Sequence, residues 1–358
     1  MSKWRFVISL FVLCVGCSVT FPHNLSLIKH KNLPKPLDAN LCADHNAATS
    51  VTRIVIKNAD SYRVEKFVFV FRNTKNRKNN KVEGEYWHLN GNRSHRRLVV
   101  LIPGTGDRVS TSGSPELLIK SGFNVLRFFA GIDIFDKSAL IEKTILTEDD
   151  LRAFVRTGKN VIRLRACDLI FVINYFNSLH YDSVGISGVS LGGIHVPIIG
   201  ALIPQAQSEL IMISGGNIAG ILYTSSEKKI IEIRNLVRDK FLGSEQRMWQ
   251  ILGEELWDID PLRFAQSLNP SKMRIIANYW DNIIRYKFAK EMWHANGKPD
   301  FEVILFPPGH YGSALLLWIP MIRYELRCAI WPICFPIPWS IARVPEINKQ
   351  FFKEKLPQ

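Results

Sequence analysis

The sequence predicts an α/β fold: a mostly parallel central sheet flanked by helices, with a helical cap inserted late in the chain. Three observations carry this expectation. Continuous apolar runs such as Arg97–Ile102 (Arg-Leu-Val-Val-Leu-Ile) have the composition of strands buried on both faces, not the alternation of half-exposed ones. These runs alternate with stretches of helical apolar spacing, the order that lays helices on both faces of a parallel sheet. The Gly-rich turns and isolated polar residues fall just after the runs, at the strand ends where sheets of this kind hold their ligands.

Length and composition bound the rest. The chain has 358 residues, of which 47% are hydrophobic, and a formal net charge of +14. That is enough for one large domain with an insertion, or for two domains, with a sizeable core. Residues 53–97 hold twelve Lys/Arg against four Asp/Glu. This basic stretch lacks the interleaved aromatics of a nucleic-acid groove, and no zinc finger or recognition helix accompanies it. It reads as a solvated surface, and no nucleic-acid partner is expected.

The N-terminus reads as an address. Lys3 and Arg5 precede an apolar run from Phe6 to Val15 that ends at Gly16-Cys17-Ser18. A basic start, a short apolar run and small residues describe a signal peptide over 1–17; the run is too short to span a bilayer comfortably. The alternative is an N-terminal membrane anchor. Cys17 after Gly16 resembles a lipoprotein signal, although Cys14 stands where such signals usually carry an aliphatic residue. The expected location is therefore exported: the cell envelope, as a periplasm-facing lipoprotein, or secreted. A membrane surface is the partner expected through that lipid or anchor. Residues 18–50, with Pro34 and Pro36, read as a linker.

Of six cysteines, at 14, 17, 42, 167, 328 and 334, only Cys14 and Cys17 have C-x-x-C spacing, and no histidine cluster joins them. No metal site is expected. Cys328 and Cys334 are a candidate disulfide pair in an exported chain. Cys167, in an apolar helical stretch, reads as a buried thiol.

The main domain is expected over 51–343. Thr52–Lys57, Lys66–Arg72 and Glu85–Leu89 predict an antiparallel lead-in. The buried strand Arg97–Ile102 ends at Pro103-Gly104-Thr105-Gly106-Asp107. A helix over Ser114–Ser121, a strand over Asn124–Phe128 and a long loop over 131–157 follow. The apolar positions Val161, Leu164, Cys167, Leu169, Ile170 and Ile173 predict a helix from Gly158 to Ser178. Glu209–Ser214, Met273–Trp280 and Glu302–Phe306 predict further buried strands. The interval between the first two of these is too long for a simple crossover. Its helical stretches Glu227–Leu242 and Ser244–Glu255 predict a cap over about 217–270. Ala314–Ile322 reads as the last core helix. Ala329–Trp339, rich in aromatics and proline, is excluded from regular helix. It reads as a segment folded against the core, with a lipid-contacting surface as the alternative. Residues 344–358 read as a C-terminal tail.

The chemistry concentrates at Gly188-Val189-Ser190-Leu191-Gly192, between an apolar strand (Val184–Ile186) and an apolar helical stretch. A turn that lifts Ser190 off a strand end crowds the backbone, and glycines on both sides remove the clashing side chains. A helix that opens there aims its unpaired N–H groups at negative charge. A serine hydroxyl is a weak nucleophile and needs a base. His310 follows a strand, and an imidazole can take and return a proton; His180, His195 and His294 lack that context. Asp281, directly after Met273–Trp280, is the candidate acid, with Asp258 and Asp260 as rivals.

In that order, Pro103-Gly104-Thr105-Gly106, Gly188-Val189-Ser190-Leu191-Gly192, Asp281 and Gly309-His310 resemble the α/β-hydrolase superfamily, over residues about 97–325. The resemblance implies Ser190 as nucleophile, His310 as base and Asp281 as the acid that orients it. The backbone N–H groups of Leu191 and Thr105 would form the oxyanion hole. Many members carry His where this chain has Pro103. The implied activity is that of a serine hydrolase, carboxylesterase- or lipase-like, which cleaves an ester or related acyl bond through an acyl-enzyme. No metal or organic cofactor is implied. The apolar cap and C-terminal segment point to a lipid or other hydrophobic acyl ester. The alternative is a non-catalytic, envelope-anchored binding protein on the same scaffold.

Overall fold

The computed structural model describes residues 41–43, 45, 48–72, 79–91, 96–104, 111, 114–129, 141, 146–178, 181–304, 309–310 and 344–356. Three strands come first: β1 (Ala48–Asn58), β2 (Tyr62–Arg72) and β3 (Asn79–Leu89). They pair antiparallel, with Tyr62 opposite Leu89 and Phe71 opposite Asn80 in an unbroken β2–β3 register. Each runs for eleven residues, longer than its apolar stretch. Phe67, Phe69 and Phe71 alternate into the core at 0, 0 and 4% exposure, as the period of two requires.

The parallel part is built from β4 (Arg97–Ile102), β5 (Asn124–Phe128), β6 (Ser183–Val189), β7 (Ala206–Met212), β8 (Met273–Asn278) and β9 (Asp300–Ile304). The sheet order is β1-β2-β3-β5-β4-β6-β7-β8-β9. Strands β4 to β9 pair parallel throughout, and β3 joins them antiparallel through β5. Helices α1 (Ser114–Ile119), α2 (Glu148–Asn177) and α3 (Leu191–Leu202) connect the first of these strands.

Helix α2 begins ten residues before the expected start, inside what reads as a loop. Thr147 closes a capping box with Asp150: its side chain accepts from the Asp150 N–H, and the Asp150 carboxylate accepts from the Thr147 N–H. Two donors that would otherwise face water are thereby satisfied. Gly158, read as the first residue of the helix, is instead in its interior.

Between β7 and β8 lie α4 (Ile218–Thr224), α5 (Lys228–Lys240), α6 (Glu245–Leu256), a short 3-10 turn (Trp257–Ile259) and α7 (Pro261–Ala265). The apolar faces of α4, α5 and α6 pack with the first half of α2 in one cluster that includes Leu151, Val155, Ile233, Val237, Met248 and Trp249. Along the edge of this seam Arg247 forks onto Glu148 at 2.6 and 2.7 Å, Arg152 reaches Glu254 and Glu255, and Arg156 reaches Glu255 at 2.8 Å.

After α8 (Tyr286–Ala295) and β9, the last described element is α9 (Val344–Lys355), where a tail was expected. It is part of the core. Phe351 and Phe352 are fully buried, and Phe352 lies on β6 at Gly185, where a Cβ would meet its ring at 2.5 Å. Five charges in twelve residues (Glu346, Lys349, Lys353, Glu354 and Lys355) hide this apolar stripe from composition.

The cysteine reading also needs correction. Cys167 is not a free thiol: it forms a disulfide with Cys42. Beside it His45 Nε2 lies 2.6 Å from Asp168 Oδ1, both side chains being buried. Arg163 donates to the Leu41 carbonyl at 2.8 Å. The end of the stretch read as a linker is thus fastened to the middle of α2. Cys328 and Cys334, the stretches 314–322 and 329–339, and the signal segment 1–17 lie outside the described residues. Among the described residues no helix is long and apolar enough to cross a membrane.

Candidate active site

Ser190 stands at the end of β6 with φ 53° and ψ −119°, a conformation that non-glycine residues rarely adopt. The turn is held on both sides. The Ser190 N–H donates to the Met212 carbonyl on β7 at 2.9 Å, and its carbonyl accepts from Ile194 at 3.2 Å in the first turn of α3. The flanking glycines are required by space. A Cβ at 188 would lie 2.4 Å from the Gly192 carbonyl oxygen, and one at 192 would lie 2.3 Å from that of Ile102.

His310 and Asp281 meet this serine. Ser190 Oγ lies 2.8 Å from His310 Nε2, and His310 Nδ1 lies 2.7 Å from Asp281 Oδ2. His310 and Asp281 are each 5% exposed. A carboxylate only accepts hydrogen bonds. With Asp281 as carboxylate, Nδ1 carries the ring proton and Nε2 is left to accept from the Ser190 hydroxyl. Asp281 is fixed in turn: its Oδ1 accepts from the N–H groups of Ile283 and Ile284, both at 2.8 Å.

Leu191 is the first residue of α3, so its N–H belongs to the group that a helix leaves without an internal acceptor. Thr105 lies outside the described residues. The preceding Gly104 lies against the serine, since a Cβ there would be 3.3 Å from the Ser190 Cβ.

The rival residues have other partners. Asp260 is 4% exposed and accepts from the N–H groups of Asn217, Ile218 and Leu262, which fastens the starts of α4 and α7. Burial pushes its pKa up to about 6. Asp258 pairs on the surface with Lys159 and Arg263. His195 donates from Nδ1 to the Leu191 carbonyl at 2.9 Å, and burial pushes its pKa down to about 4. His294 is exposed at the end of α8, and His180 lies outside the described residues.

One residue at the site escapes sequence reasoning. Asn278, the last residue of β8, is 1% exposed; its Oδ1 accepts from the Trp280 N–H and its Nδ2 donates to the Gly309 carbonyl. It ties the turn carrying Asp281 to the peptide before His310. The signal was an amide closing the otherwise apolar end of Met-Arg-Ile-Ile-Ala-Asn.

No protein-family model matches the chain, and no curated protein matches it by sequence. Solved structures do match by shape. An acetyl xylan esterase from Paenibacillus sp. R4 superposes with TM-score 0.57 at 13% identity, covering 76% of this chain and 86% of its own. Acetyl xylan esterase 1 from Thermoanaerobacterium sp. JW/SL YS485 gives 0.56 at 14%, covering 80% and 94%. The chain has the α/β-hydrolase fold. The Pyrococcus horikoshii acylaminoacyl peptidase also superposes, with TM-score 0.50 at 14% identity, covering 87% of this chain and 42% of its own. At these identities the fold is what is shared. In the terms of that fold, Ser190 occupies the strand-to-helix elbow, and Asp281 and His310 follow the ends of β8 and β9.

Proposed function

We propose that the protein is a serine esterase. The observation that carries this reading is the chain of contacts from Ser190 Oγ to His310 Nε2 and from His310 Nδ1 to Asp281 Oδ2, at 2.8 and 2.7 Å.

The reaction follows from the atoms. Ser190 Oγ attacks the ester carbonyl carbon while its proton passes to His310 Nε2. The imidazolium that forms is held by Asp281, which stays ionised. The negative carbonyl oxygen is met by the N–H of Leu191 and, in this proposal, by that of Thr105. Collapse expels the alcohol, which takes the proton from His310, and leaves an acyl group on Ser190. Water, deprotonated by the same histidine, then attacks the acyl-enzyme; as the acyl–Oγ bond breaks His310 returns that proton to Ser190 Oγ, and the acid is released.

Esterases among the structural neighbours support an ester as the substrate. A binding-only role on the same scaffold has no comparable support, since it gives no reason for a strained serine in contact with a buried histidine. Export is also proposed. It is supported by the Cys42–Cys167 disulfide, a bond that persists in oxidising compartments.

The test is labelling with a fluorophosphonate probe, followed by identification of the modified peptide. Label on Ser190, lost in Ser190→Ala and strongly reduced in His310→Ala, is expected, together with turnover of p-nitrophenyl acetate. Labelling that survives Ser190→Ala, or a folded protein that neither labels nor turns over, overturns the reading.

A further inference from the structure

The pairing of β8 with β9 ends at the site. Asn278 stands opposite Ile304, the last residue of each strand, and the Tyr279 N–H donates to the Ile304 carbonyl at 3.0 Å. Asp281 and His310 both lie beyond that end, where the ladder no longer aligns the two segments. We propose that Asn278 is a positioning residue for the reaction: its side-chain amide holds the Asp281 turn and the Gly309–His310 peptide at a fixed spacing, and so sets the contact between acid and base. The proposal rests on the serine-esterase reading above and adds to it a residue outside the triad.

The amide has one group for each side. Its Oδ1 accepts from the Trp280 N–H at 2.8 Å, in the turn that carries Asp281. Its Nδ2 donates to the Gly309 carbonyl at 3.2 Å, in the peptide bond that leads into His310. These partners also fix which way round the amide lies, because an N–H needs an acceptor and a carbonyl needs a donor. The side chain is 1% exposed. A polar group so deeply buried is costly unless it is hydrogen-bonded, and a carboxylate or an apolar side chain would serve at most one of the two partners.

Gly309 is the reason a pin is needed. Its φ is 65°, in the left-handed region that glycine enters at little cost. The missing Cβ also gives the backbone before His310 more conformational freedom than another residue would. A Cβ at 309 would lie 3.5 Å from Asn282 Oδ1 and 3.8 Å from the Trp280 carbonyl oxygen, ordinary contact distances. Those atoms belong to the Asp281 turn, so the turn and the histidine's peptide lie side by side, and the Asn278 amide bonds one to the other. The anchors of Asp281 do a different job. The N–H groups of Ile283 and Ile284 hold its carboxylate within its own turn.

Small displacements matter here. Proton transfer runs through contacts of 2.8 and 2.7 Å. A misplacement of about 1 Å at such a site costs on the order of 10²-fold in rate.

The test is turnover of p-nitrophenyl acetate by Asn278→Ala, by Asn278→Asp and by Asn278→Asp combined with His310→Ala. Asn278→Asp keeps the volume and the acceptor for the Trp280 N–H, but its carboxylate has no donor for the Gly309 carbonyl. Both single variants are expected to lose on the order of 10- to 100-fold in kcat, with KM within about twofold of the wild type. In the His310→Ala background Asn278→Asp is expected to change the residual rate by less than about twofold, because no base is left to position. Asn348, an equally buried amide on α9 that donates to Ser114 Oγ, is the control. Asn348→Ala is expected to lower the melting temperature and to leave kcat within about twofold. If Asn278→Ala does not fold, Asn278→Asp decides. A wild-type kcat in either folded variant overturns the proposal and leaves the esterase reading standing. So does a further loss of about tenfold or more from Asn278→Asp on top of His310→Ala, which would mark Asn278 as a general support of the fold. A wild type that turns over no ester overturns the esterase reading, and this proposal with it.

Discussion

Asp281 gives His310 one carboxylate oxygen and keeps the other for its own turn: Oδ2 lies 2.7 Å from His310 Nδ1, and Oδ1 accepts from the N–H groups of Ile283 and Ile284. Orientation and charge can therefore be separated by one substitution. Asp281→Asn retains an oxygen for the two N–H groups but turns a donor toward His310, which favours the wrong ring tautomer. Esterase kcat is expected to fall about 10³- to 10⁴-fold, with little change in melting temperature. A loss below tenfold would remove Asp281 from the proposed triad.

Ser190 at φ 53° stores backbone strain, on the order of 1–3 kcal/mol for a non-glycine residue in such a region. Ser190→Gly is expected to be inactive and more stable than Ser190→Ala by about 1 kcal/mol in denaturant titrations. Equal stability of the two would show that the turn is not strained by its side chain.

Gly192→Ala tests the opposite restriction. Its Cβ would lie 2.3 Å from the Ile102 carbonyl oxygen and 2.6 Å from that of Pro103. Both contacts are with backbone, so β4 and the elbow must separate. A loss of at least about 2 kcal/mol in stability is expected, together with loss of fluorophosphonate labelling.

The candidate site was more legible than the frame that supports it. Ser190, Asp281 and His310 each follow an apolar run, and a strand end is visible in one sequence because it is local. The pairing of Cys42 with Cys167 is not local. It depends on where the chain before β1 crosses α2, and no spacing rule encodes that. Helix α9 was missed because its apolar stripe is short and charged residues surround it, and the start of α2 because an acidic capping box resembles a loop. Asp260 competed with Asp281 on composition; only its three backbone donors reveal a structural post.

Glu209, on β7, is 3% exposed, and burial pushes its pKa up to about 8 from 4.5. The folded state then binds a proton that the unfolded state releases, so stability falls as pH rises from about 4.5 to about 8. Glu209→Gln is expected to remove that slope and to be more stable than the wild type at pH 8.5, by on the order of 2–4 kcal/mol. Parallel stability–pH curves for the two proteins would contradict this.

The Cys42–Cys167 bond closes a loop with a sequence separation of 125. Its loss is expected to cost about 2–4 kcal/mol. Cys42→Ala, Cys167→Ala and the double variant should be destabilised by nearly the same amount, since each removes the same bond. The oxidised wild type should match them after reduction. Additive losses in the two single variants would argue against the pairing.

Phe352 covers β6 at Gly185, yet it follows Gly185 by 167 positions in the chain. A ribosome adding about 5–20 residues per second needs roughly 8 to 33 s to make that interval. Throughout it, the strand that ends in Ser190 has been synthesised and its partner on that face has not. The face of β6 beside the serine turn is therefore closed only after the C-terminal helix α9 has been made, although the turn itself lies mid-chain.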